Sequence, residues 1–213
     1  FLMNYTGLGA AIKDYTRNAE VRVVSNIPSF VGQWEGGLNR SIIVPELRKN
    51  VSAATTNGNW YLALPADFLS VFSLAVVDSS GNYSFLLDKD VNFIREAYPA
   101  SSTSGLPEYY AQFDGDYNGE QGNFILGPTP DAAYTVELHY YYDPPSIITT
   151  STSWYGDNAE SALLYGSLIE AYTYMKGEAD LIQLYTTRYN EALGQLTGVQ
   201  IRSQTDEYRD GRL

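Results

Sequence analysis

The 213-residue chain predicts an α+β protein: an antiparallel helical bundle built from both chain ends, with an inserted, mostly antiparallel β-domain and an extended C-terminal tail. Three observations predict it. Apolar residues recur at three- and four-residue spacing before residue 47 and again after residue 147, the period of an amphipathic helix. Between them the period falls to two, and short apolar runs are punctuated by Asn-Gly and Ser-Ser-Gly-Asn turns. Neither terminal helical part has another large apolar partner, so each buries its stripe against the other. The expected division is 1–47 and 147–197 for the two helical halves, 48–146 for the β-domain and 198–213 for the tail.

The elements follow in order. Leu8, Ala11, Ile12 and Tyr15 predict a helix over 5–15. A second helix is expected to start near Pro28, which suits a first turn, and to carry Phe30, Val31, Trp34, Leu38 and Ile42 on one face. Gly36-Gly37 weakens its centre by about 1 kcal/mol per Gly relative to Ala, which predicts close packing or a bend. Asn57-Gly58 between two short runs predicts a hairpin, and Ser79-Ser80-Gly81-Asn82 a second one. A short helix follows, capped by Asp88 or Asp90 and stopped by Pro99. "EYYAQF", "NFILG" and "AYTVELHYYY" read as strands, with a Gly-Pro-Thr-Pro turn before the last. In that last strand Val136, Leu138, Tyr140 and Tyr142 share one face, and Thr135, Glu137, His139 and Tyr141 the other. "PPSIITTSTSWYG" is a connector. Two helices then form a hairpin. The first carries Leu164, Leu168, Tyr172 and Met175, with Asp157 or Asn158 as N-cap; the second carries Leu181, Tyr185, Tyr189, Leu193 and Leu196.

Composition excludes several function classes. With 44% hydrophobic and 18% charged residues, the chain is globular. It has no apolar run long enough for a membrane span, and no basic-then-apolar start marks a signal peptide. There is no Cys, and His139 is the single His, which removes disulfides, thiolate sites and His-rich zinc sites. The net charge of -12 opposes the basic footprint of a nucleic-acid grip and suits a surface that DNA passes without sticking. Nineteen Tyr residues favour interfaces and half-buried sheet faces.

No catalytic constellation is found. Asp114-Gly115-Asp116-Tyr117-Asn118-Gly119 matches the first half of an EF-hand loop, but the closing position is Ile125 instead of Glu, and a strand follows. No metal site is therefore expected. The pairs Asp88/Asp90 and Glu108/Asp114 have nothing that sets a glycosidase separation. His139 lacks a nucleophile elbow, and Gly7-Leu8-Gly9-Ala10 lacks the Lys-Ser/Thr of a phosphate loop. The tyrosine strand is expected to point Tyr140 and Tyr142 inward and to present only Tyr141.

Four ordered segments carry a resemblance: "YLALPADFL" (61–69), "SGLPEYYAQFDG" (104–115), "FILGPTPDAAYTVELHYYYDPPS" (124–146) and "ALLYGSLIEAYTYMKGE" (162–178). Together they resemble phage head-to-tail adaptor proteins, also called connector or head completion proteins. The stretch 115–122 is longer than that family's usual hairpin turn. The resemblance implies a structural virion protein without enzyme activity or cofactor. It implies a ring, usually a dodecamer, beneath the portal protein at the head-tail interface, assembled in the host cytoplasm. Genomic DNA would pass through without specific binding. The tail would dock on the portal through Ile201, Arg202, Tyr208, Arg209 and Arg212. The loop with Asp114, Asp116, Tyr117 and Asn118 would face the tail nozzle or tail tube. The alternative is a tail-associated receptor- or glycan-binding module, and a third class is a glycan-cleaving enzyme.

Overall fold

The computed structural model describes residues 3–41, 44–78, 80–115 and 122–210, with backbone alone for 39–41 and 197–210. It is an α+β protein that divides into two compact units, Phe1–Glu46 with Pro144–Leu213, and Leu47–Asp143.

The first unit is helical. Helix α1 (Tyr5–Thr16) is capped by Asn4, whose side chain accepts from the Gly7 amide at 2.7 Å, and it ends at Arg17 in the left-handed region. Its Leu8 and Ile12 are fully buried, as their four-residue spacing dictates. Helix α2 (Val21–Ser41) starts seven residues before Pro28. The expected first-turn position is thus wrong. Val23 and Ile27 extend the buried stripe of Phe30, Val31 and Leu38, and burying that longer stripe outweighs one interior Pro. A Cβ at Gly36 or Gly37 meets no atom within 4 Å, so close packing does not explain that pair. Ile42 lies outside the described residues.

The expected connector is not structureless. Ser146 caps α4 (Ile147–Thr150) and Ser153 caps α5 (Trp154–Asn158), because a Ser hydroxyl satisfies the first free amides of even a short helix. Asp157 and Asn158 therefore lie inside α5, and α6 (Glu160–Tyr174) starts without a side-chain cap. Helix α6 touches α1, α2, α5 and α7 (Ala179–Asp210). Its burial accordingly spreads from Leu164 and Leu168 to Ala162, Leu163, Gly166, Ser167 and Ala171. Trp34 of α2 lies over Gly166 and meets Tyr189 of α7 edge-on at 4.4 Å between centroids. Tyr185 of α7 packs with Tyr15, Tyr165 and Tyr172. The expected extended tail is corrected as well: the backbone stays helical to Asp210. Residues 199–210 hold no Pro or Gly, and the single Gly198 costs only about 1 kcal/mol in a helix interior.

The second unit is two facing four-stranded sheets, with a helix on one of them, and a third sheet of two short strands. The first sheet has the order β1 (Arg48–Ala54), β10 (Thr135–Tyr142), β3 (Phe68–Val77), β4 (Tyr83–Phe85), all antiparallel. The second has the order β2 (Tyr61–Ala63), β8 (Asn123–Gly127), β7 (Tyr109–Gln112), β5 (Leu87–Asp88), with β5 parallel to β7. Leu74, Val76, Val136, Leu138 and Tyr140 from the first meet Leu62, Tyr110, Phe124 and Leu126 from the second. Helix α3 (Val91–Ala97), capped by Asp90, covers the back of the second sheet through Ile94 against Ala111 and Ile125.

The β3–β4 hairpin forms as expected, its turn held by Asp78, which accepts from the Ser80 and Asn82 amides. The Asn57-Gly58 hairpin does not. Gly58 takes its positive φ of 75°, but β1 pairs with β10 and β2 with β8. The turn bonds elsewhere: Gly58 N–H donates to Pro130 O at 2.9 Å and Thr55 Oγ1 to Ala132 O at 3.0 Å. The chain there crosses between sheets, because β1 joins β10 in the first sheet while β2 joins β8 in the second. The expected Gly-Pro-Thr-Pro turn is also strand: β8 ends at Gly127, and β9 (Thr129–Pro130) pairs parallel with β6 (Ser104–Gly105).

Candidate interaction surfaces

The outer face of the first sheet gathers the polar and aromatic residues that alternation turns away from the core. Register sets Glu137 opposite Ala75 and Ser52, and His139 opposite Ser73 and Asn50. The Glu137 carboxylate accepts from Tyr83 Oη at 2.8 Å and Asn50 Nδ2 at 2.5 Å, with His139 Nε2 at 3.3 Å. The Tyr83 hydrogen bond, then that of Asn50, holds its carboxyl below the ordinary range, and the same carboxylate pushes the Tyr83 phenol up. Glu137 and His139 floor a groove of about 340 Å³ walled by Phe72, Ala75, Tyr83 and Phe85. Phe72, Tyr83 and Phe85 are 50%, 55% and 66% exposed. A monomer gains nothing from leaving adjacent aromatic rings in water, so the patch marks a contact surface.

The tyrosine strand forms no flat platform. Tyr140 is buried, Tyr142 packs at the core edge, and Tyr141 meets Phe72 edge-on. Tyr140 Oη donates to Asp67 at 2.8 Å, and Lys49 Nζ lies 2.6 Å from the other oxygen. Burial pushes the Tyr140 phenol up to about 12, with Asp67 adding to it. The basic residues of 47–143 all lie against rings: Arg48 over Phe72, Lys49 over Tyr142, Lys89 over Phe93 and Arg95 over Phe113. Four basic side chains face twelve acidic ones in that unit, so its field is negative.

The expected site residues fall apart in space and in description. The Asp114 carboxylate accepts from the Asn123 backbone amide and lies 3.4 Å from Asn123 Nδ2; Asp116, Tyr117 and Asn118 lie outside the described residues. Ile125 is fully buried in β8. Asp90 is committed to capping α3. Ile201, Arg202, Tyr208 and Arg209 lie on the helical backbone of α7, and Arg212 is outside the described residues. Sequence reading missed the Glu137 cluster. Alternation in β10 paired Glu137 with His139, but Asn50 and Tyr83 arrive only through strand order.

A family model described as SU10 adaptor protein matches residues 3–212. The chain belongs to the SU10 adaptor protein family. It is a phage structural adaptor of the head-to-tail class, and the family is not an enzyme family. Comparison with curated proteins gives no match. Membership implies a place in the virion and contact with portal and tail components. No helix among the described residues of the adaptor is long and apolar enough to cross a membrane.

Proposed function

We propose that the adaptor forms a twelve-copy ring beneath the portal protein, joins it to the tail nozzle or tail tube, and lines part of the DNA conduit. The observation that carries this reading is the family match over 3–212. The net charge of -12 supports it, since a negative wall repels phosphate and lets DNA slide. In this reading 1–47 and 147–197 sit in the ring, 48–146 faces the tail, and 198–213 docks on the portal. Ile201, Arg202, Tyr208, Arg209 and Arg212 supply anchors and guanidinium groups suited to paired contacts with carboxylates. Asp114, Asp116, Tyr117 and Asn118 face the tail.

Mixing the adaptor with its portal tests this. Cryo-electron microscopy of the complex is expected to show twelve adaptor copies in a ring, and a six-fold or irregular array sinks the reading. Deleting 199–213 is expected to leave the melting temperature nearly unchanged and to abolish portal binding. Unchanged affinity after the deletion moves the contact to the other helices.

A further inference from the structure

We propose that the outer-face groove of the first sheet takes an arginine or lysine side chain presented by the tail component. This rests on the reading that sets 48–146 toward the tail, and it names the chemistry by which that contact is made.

Three neighbouring strands build the groove. Glu137 of β10 stands opposite Ala75 of β3, and Ala75 opposite Phe85 of β4. A carboxylate and an aromatic ring therefore share one row across the sheet, two strand spacings or roughly 10 Å apart, with only a methyl group between them. His139 opposite Ser73 repeats the pattern one step along. Phe72, left without a partner where the β3–β10 register shifts, adds a second ring. Small residues between rings and carboxylate give the groove its depth.

The charge in this groove is uncompensated. Glu137 Oε1 accepts from Asn50 and lies 3.3 Å from His139 Nε2, while Oε2 takes Tyr83 alone. A carboxylate oxygen has two acceptor positions, so Oε2 keeps room for a second donor. Asn50 and Tyr83 carry no charge, and no Lys or Arg lines the groove among the described residues. The Glu137 side chain is only 20% exposed, so water screens it less than at an open surface.

The rings point to the same ligand. All four basic side chains of this unit lie over aromatic rings, but none of them over Tyr83 or Phe85, whose own rings stack at 6.4 Å. A ring face attracts a cation, and a carboxylate beside it fixes the cation by a charge-assisted hydrogen bond. A purely apolar side chain would cover the rings but strip water from Glu137 with nothing in exchange, and an anion would be repelled. A guanidinium or ammonium group on an apolar stem satisfies both parts of the lining.

Two measurements test this. Full-length labelled adaptor is titrated by NMR with N-acetyl-arginine methylamide and with the uncharged citrulline analogue. The arginine probe alone is expected to move the Ala75 methyl and Phe85 ring signals saturably, and Glu137→Gln to weaken that binding by about ten-fold or more, the equivalent of about 1.4 kcal/mol. Equal shifts from both probes, or none from either, overturn the proposal. In the second measurement, adaptor bound to portal is mixed with purified tails, and joined particles are counted by electron microscopy. Glu137→Gln and, separately, Phe85→Ser are expected to keep a cooperative melt and portal binding and to lose most tail joining. Parental tail joining by both variants overturns the groove contact and leaves the tail-facing reading standing. Loss of ring formation on the portal instead puts a neighbouring copy's basic side chain in the groove and overturns the tail as its source. If the parent adaptor joins no tail, the tail-facing reading fails and this proposal falls with it.

Discussion

Single atoms decide how two parts of this molecule hold together. A Cβ at Gly166 would lie 2.6 Å from Trp34 Cδ2, so the indole is seated against α6 only because that position has no side chain. Gly166→Ala is expected to push the ring off Tyr189 and cost about 1–3 kcal/mol, the range for overpacking, read by urea denaturation. Gly9→Ala is the control: a Cβ there meets nothing within 4 Å, and the change is expected to add about 0.5–1 kcal/mol through helix propensity. Asp67 gives a pH prediction. Burial pushes its carboxyl up, but the Lys49 and Tyr140 hydrogen bonds and the Lys49 charge together outweigh that and hold it below the ordinary range. A depressed carboxyl stabilises the fold above its unfolded pKa, and the benefit is lost as pH falls through the folded value. Asp67→Asn is thus expected to lower the urea midpoint near neutral pH, with the gap to the parent closing in strong acid. Asp143 works in the opposite sense, since burial and then the Asp67 charge push its carboxyl up.

At the scale of elements, the two ends of the chain are tied by one buried carboxylate. Glu35 of α2 is 5% exposed. It accepts from the Ile147 amide at 2.8 Å and from the Ser146 hydroxyl, so it caps α4 from more than a hundred residues away. Negative charge at a helix start is favourable, and the amide it satisfies is otherwise buried without a partner. Glu35→Ala is expected to cost about 1–3 kcal/mol, and Glu35→Gln less, because one oxygen still accepts. Equal denaturation midpoints for Glu35→Ala and the parent would remove the clasp from the account. The tyrosine cluster acts similarly: Tyr172 Oη donates to Tyr15 O at 3.0 Å and joins α6 to α1. Part of the Tyr surplus therefore serves contacts within the helical unit, beyond any role between copies.

For the whole molecule, charge is the governing property. Twenty-five acidic residues stand against thirteen basic ones, and in the β unit every basic side chain lies over an aromatic ring. A protein that releases no counterions from phosphate has no general affinity for DNA. The adaptor is expected to give no mobility shift with double-stranded DNA even at low salt. A shift that weakens steeply with added salt would contradict the passive-conduit reading.

The residues alone determined a good deal. Periodicity placed α1, α6, α7 as far as Leu196 and the strand β10, because a helix or strand that buries one face must repeat its apolar residues at its own period; an Asp cap and the Pro99 stop placed α3, and short apolar runs gave β7 and β8. Strand alternation assigned Tyr140 inward and Glu137 outward, and composition set the charge. Ordered segments pointed to the adaptor family that the match over 3–212 shows. Tertiary structure decided the rest. Asn57-Gly58 makes its turn, but which strands pair depends on which sheet each one joins, and that is a contest among distant partners. Pro28 lies inside α2 because burial of Val23 and Ile27 outweighs a local breaker. Glu35 caps α4, and Asn50 and Tyr83 complete the Glu137 cluster, through contacts between residues far apart in the chain. Local pattern carries information over one element's length; strand order, remote caps and outward clusters arise only when separate elements compete to bury the same apolar surface.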